Sequence, residues 1–80
     1  MKIIEYLAVF QELHDQFYVF FPDIPSVEIF GTSIIASKVA AEKSLREVTS
    51  KMNKLPTMTS INELEELYPE DVLSLIQLKI

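Results

Sequence analysis

Phe17-Tyr18-Val19-Phe20-Phe21-Pro22-Asp23-Ile24-Pro25 decides how this chain is read. Five consecutive apolar residues, mostly aromatic, form a strand pattern. Pro22 has no N–H to give a ladder and ends it. Pro25 holds Ile24 in extended geometry. Upstream, residues 3–13 are rich in β-branched and aromatic types, and His14-Asp15-Gln16 separates them from the second run as a short polar hairpin connection. Downstream, Val27 to Phe30 alternates apolar and polar, as a half-buried third strand does. Gly31, the chain's one glycine, marks either a turn with positive φ or a close backbone approach.

Thr32 or Ser33 is placed to cap a helix over residues 34–54, a stretch without proline or glycine. Ile34, Ala41, Leu45, Val48 and Met52 give it one apolar face, and Glu42–Arg46 and Glu47–Lys51 are favourable i,i+4 pairs. Ser60-Ile61-Asn62-Glu63 is a capping box opening a short helix through Leu67, with Ile61, Leu64, Glu65 and Leu67 as its amphipathic positions and Pro69 beyond it. Val72 to Ile80 reads as a last strand, nearly continuous in apolar character, hence buried on both faces or lying at an edge that pairs with another chain. The order β-β-β-α-(short α)-β predicts an α+β class: a two-layer antiparallel meander with one long helix, in one domain spanning 1–80.

A chain of 80 residues buries only about 60% of its unfolded surface on folding. With 49% apolar residues, part of the apolar surface is expected at an interface, including that of a homodimer. There is no cysteine, so neither a disulfide framework nor a thiolate metal site, in keeping with a reducing, cytoplasmic setting. No apolar run reaches the ~18 residues of a membrane span, and Glu5 breaks any signal-peptide pattern. Net charge is −5, from 12 acidic and 7 basic residues, which repels phosphate and favours a basic protein partner over direct nucleic-acid binding.

Several residues admit both a structural and a functional reading. Asp23, between two prolines, is a turn carboxylate bonding nearby N–H groups or a rigidly presented acid for a partner's Arg, Lys or His. Glu12 and Asp15 flank the first turn as solvated charges or as part of the same acidic face. Glu63, Glu65, Glu66, Glu70 and Asp71 form the densest charge cluster, a solvated helix face or a patch that mimics phosphate. His14, the one histidine, has no companions at ligand spacing. No cofactor, metal set or catalytic constellation is expected. The central strands offer too few carboxylates for two-metal nuclease chemistry, and no nucleophile elbow is present.

Tyr6-Leu7-Ala8-Val9-Phe10, then Tyr18-Val19-Phe20-Phe21-Pro22-Asp23-Ile24-Pro25, then Gly31-Thr32 ahead of an alanine-containing helix, together resemble the N-terminal domain of the HicB antitoxins. The chain departs from that pattern at His14-Asp15-Gln16, Ser26-Val27 and Ile34-Ile35-Ala36. The resemblance implies a partial ribonuclease-H-like fold without catalysis. It also implies a small basic HicA-like partner, an mRNA-cleaving toxin whose active site the antitoxin covers. Glu12, Asp15, Asp23, Glu63, Glu66 and Glu70 are the residues expected to meet that partner. The DNA-binding domain most family members carry is not read in residues 1–80. The alternative reading is an orphan or phage-borne structural module with this fold and no toxin.

Overall fold

A computed structural model describes residues 2–79. Three strands, β1 (Ile3–Leu13), β2 (Gln16–Phe21) and β3 (Ile24–Gly31), are followed by α1 (Ile34–Ser50), α2 (Ile61–Leu67) and β4 (Val72–Lys79). The class is α+β, as the element pattern predicts. The sheet is antiparallel throughout, in the order β3-β2-β1-β4. Both hairpins close with two-residue loops: Leu13 faces Gln16 across His14-Asp15, and Phe21 faces Ile24 across Pro22-Asp23. Neither loop uses a positive φ.

The third strand is longer than its alternating core, starting at Ile24 rather than Val27. The long helix is shorter than its proline-free window and ends at Ser50. Val48 and Thr49 are β-branched and weak helix formers. The Thr49 hydroxyl donates back to the Leu45 carbonyl at 2.7 Å and the Ser50 hydroxyl to that of Glu47 at 2.7 Å. Such local bonds weaken and bend a last turn. Met52 therefore lies outside the helix, and Ile34 at the other end is exposed, so the packed face is Ser37, Ala41, Leu45, Val48 and Thr49. Ser33 is the N-cap, its hydroxyl accepting from the Ala36 amide at 3.1 Å. Arg46 donates to the Lys79 carbonyl at 3.1 Å, tying the helix to β4.

Gly31 does not have a positive φ. Its role is close approach: a Cβ there would overlap Ser37 Oγ and lie 3.0 Å from Ser37 Cβ and 3.2 Å from Ser37 Cα. The helix can therefore sit this near β3 only over a residue without a side chain.

Strand register divides the side chains between two faces. On the first, Ile4, Tyr6, Ala8, Phe10, Val19, Phe21, Ile24, Val27, Ile76 and Leu78 pack with Ala41 and Leu45 of α1. The chain then crosses the end of the sheet. Leu55 and Met58 still pack on that first core. The Tyr6 hydroxyl donates to the Pro56 carbonyl at 2.5 Å, and Asp23 receives Thr59. Beyond Ser60 the chain is on the second face, where Tyr68 meets Phe20 and Asp71 accepts from Gln11. There Leu64, 1% exposed, is buried, as are Leu7 and Val9. Ile61 and Leu67 remain exposed, so Leu64 alone anchors α2.

β1 is thus the strand buried on both faces, from Tyr6 to Phe10, with α1 packed on one of them. β4, whose apolar run admits burial on both faces or an edge position, is an edge strand with Val72 and Leu75 exposed. Ile80 lies outside the described residues.

Burial raises the Tyr6 hydroxyl above its ordinary pKa of 10.0, helped by the negative charge of Asp23. The folded state holds this proton more tightly than the unfolded chain, so the contribution to stability is complete below pH 10 and is lost as pH rises through the tyrosine range. Tyr6→Phe is expected to cost about 0.5–1.5 kcal/mol at neutral pH through the Pro56 bond. It is also expected to flatten the fall in melting temperature that the parent chain should show above pH 10. Thermal denaturation followed by circular dichroism from neutral to alkaline pH reads both effects.

Candidate interaction surface

The second face of the sheet is only partly covered, and what it leaves open is aromatic. Tyr18 and Phe30 are directly opposite across β2 and β3, with ring centroids 5.0 Å apart. Phe20, two residues along β2, stacks on Tyr18 at 5.3 Å, and Tyr68 meets Phe20 edge-on at 5.5 Å. These four rings form one row running from the open edge of β3 to the segment after α2. Phe30 at its outer end is 61% exposed. Strand alternation places Tyr18 and Phe20 on this side, while Val19 and Phe21 point into the core.

Carboxylates border the row. The Tyr18 hydroxyl donates to Glu28 at 2.8 Å, and this bond to a charged acceptor, more than desolvation, raises the tyrosine's pKa above its usual value. Asp71 takes a bond from Gln11 at 3.0 Å, and Glu5 one from Gln77 at 2.8 Å, both on the same face. Glu63, Glu66 and Glu70 are exposed on and just after α2. Ser60 caps α2 as its sequence pattern predicts, accepting from the Glu63 amide at 3.4 Å.

Charge is segregated along the chain. Residues 34–54 hold Lys38, Lys43, Arg46, Lys51 and Lys54 against Glu42 and Glu47. The remaining sequence holds ten acids against Lys2 and Lys79. The helix side is therefore mildly positive, and the sheet with α2 carries the whole negative excess.

The six acids singled out from sequence do not form one patch. Glu12 and Asp15 are exposed at the β1–β2 hairpin end. Asp23 lies at the opposite end of β2, roughly 20 Å away for a six-residue strand. Both oxygens of Asp23 are engaged inside the chain, with the Thr59 amide at 2.8 Å and the Thr59 hydroxyl at 2.5 Å. It holds the crossing segment against the hairpin, a long-range version of the turn carboxylate. Glu63, Glu66 and Glu70 share the α2 side with the aromatic row. The aromatic row itself was missed from sequence. Its signal is the period-two pair Tyr18 and Phe20 followed by Phe30, which becomes a row only once the β2–β3 register brings Phe30 opposite Tyr18.

Among the described residues no group of three His, Asp or Glu side chains is arranged to hold a metal ion. No helix among them is long and apolar enough to cross a membrane. What the surface offers is recognition: flat π-faces beside carboxylates attract guanidinium and ammonium groups. A scan against protein-family models and a search of curated proteins return no match to the chain.

Proposed function

We propose that this protein is an antitoxin-type binding partner of a small, basic, HicA-like mRNA-cleaving toxin, which it neutralises by covering the toxin's active site. The observation that carries the reading is that the aromatic row is exposed beside Glu28 and the α2 acids, while five of the seven basic residues lie within 34–54. A toxin that grips RNA phosphates needs a cationic surface. The face bearing Tyr18, Phe30, Glu28 and the α2 acids competes for that surface with carboxylates and cation–π contacts. Long-range attraction speeds the encounter, and the aromatic row supplies the desolvated contact. The proposed setting is the cytoplasm, where the toxin meets mRNA. The protein needs no cofactor and performs no catalysis in this role.

The test mixes the chain with the nearest HicA-like candidate from its own genome. Calorimetry at low and high salt reads affinity, and an mRNA-cleavage assay reads inhibition. Nanomolar binding that weakens with salt is expected. Phe30→Ala should weaken it by about tenfold, the cost of truncating an exposed aromatic anchor. Absence of binding at any salt, or binding without loss of cleavage, overturns the proposal and leaves the orphan module.

A further inference from the structure

The two edges of the sheet are built differently. β3 carries Pro25 and the exposed Glu28, and its register against β2 is broken between Phe20 and Phe21. Proline, charge and irregular register all discourage a further strand. β4 has none of these along its length. Its eight residues pair with β1 in unbroken register from Phe10–Val72 to Ile3–Lys79, without proline, and its one charge is the terminal Lys79. Leu75 at its middle is 44% exposed.

Arg46 donates to the Lys79 carbonyl, which holds α1 beside this edge. Ile34, 50% exposed at the start of α1, lines an open groove with Phe10, Lys38 and Val72. Some apolar surface therefore stands open beside an unprotected strand edge.

We propose that β4 pairs antiparallel with β4 of a second copy, about a twofold axis at Leu75, giving a continuous eight-stranded sheet with both α1 helices on the same face. Strand chemistry favours a second copy as the occupant, because β4 is complementary to itself. With Leu75 opposite Leu75, Val72 faces Leu78, Ser74 faces Ile76, and Lys79 faces Asp71 just before the strand, once at each end. Sliding by one symmetric step in either direction puts Lys79 opposite Leu73 or Pro69 and loses both charge pairs. The same pairing sets the exposed Val72 of each copy against Leu78 of the other, adding apolar contact to the strand pairing. This dimer leaves the aromatic row open, so it is independent of toxin binding.

Sedimentation equilibrium of the chain alone, over a range of concentrations, tests the proposal. A dimer is expected for the parent. Leu75→Lys should give a monomer with an unchanged circular dichroism spectrum. Lys79→Glu should weaken association by about tenfold or more by placing like charges opposite each other, and Asp71→Lys combined with Lys79→Glu should recover most of that loss. Phe30→Glu, on the aromatic row, should leave the dimer intact. A parent chain that is monomeric throughout, or a dimer abolished by Phe30→Glu and indifferent to Leu75→Lys, overturns it.

Discussion

Leu64→Ala should cost about 2–5 kcal/mol, the range for truncating a fully buried leucine. A domain of 80 residues has roughly 4–12 kcal/mol of stability in all, so the variant is expected to melt far below the parent or to be partly unfolded at 25 °C. The effect is large because α2 has no second anchor. Ile61 and Leu67 are exposed, and the helix has only seven residues, too few to be stable alone. Losing Leu64 removes the one buried side chain of α2 and loosens Tyr68, its C-cap, from Phe20. Urea denaturation gives the size of the loss. Hydrogen exchange gives its place, with protection falling in 61–67 ahead of 34–50. Equal loss in both helices would show instead that the two faces of the sheet unfold as one.

Gly31→Ala should destabilise by about 1–3 kcal/mol, the cost of overpacking a site that cannot relax. The added methyl meets Ser37, whose Cα is helix backbone and whose side chain is fully buried. Ser37 also carries the one buried side-chain oxygen without a hydrogen-bond partner among the described residues. Ser37→Ala is therefore expected to be neutral or stabilising by about 1 kcal/mol, since it removes an unsatisfied polar atom. In Gly31→Ala the same change should recover part of the loss, because the nearest clash is with the hydroxyl. The double-mutant cycle in denaturant reads the coupling. Additive effects would mean that α1 moves away from β3 rather than being held there.

Where structure follows from neighbours in sequence, the residues announce it. Pro22 ends β2, Ser33 and Ser60 cap their helices, and Ala41 and Leu45 mark the packed side of α1. Ser37, Thr49 and the early end of α1 were hidden because buried hydroxyls read as polar surface. The places of β1 and β4 were hidden for a different reason. Both are apolar runs, and only long-range pairing decides which lies between two neighbours and which lies outside. Asp23 could be read as a turn carboxylate, but not as bound to Thr59, 36 residues on. The acidic stretch after Ser60 was visible, whereas the aromatic row beside it depends on the β2–β3 register and on where α2 settles.

The two strands most distant in sequence are neighbours in the sheet. β1 meets β4 in pairs from Phe10–Val72 to Ile3–Lys79, so more than sixty residues separate every pair. Closing so long a loop costs entropy before any contact repays it. During synthesis the β1–β2–β3 meander emerges early, with one edge of β1 unpaired until β4 arrives. A ribosome pausing before β4 would therefore display a sticky sheet, and chaperone occupancy on the nascent chain should peak in that interval.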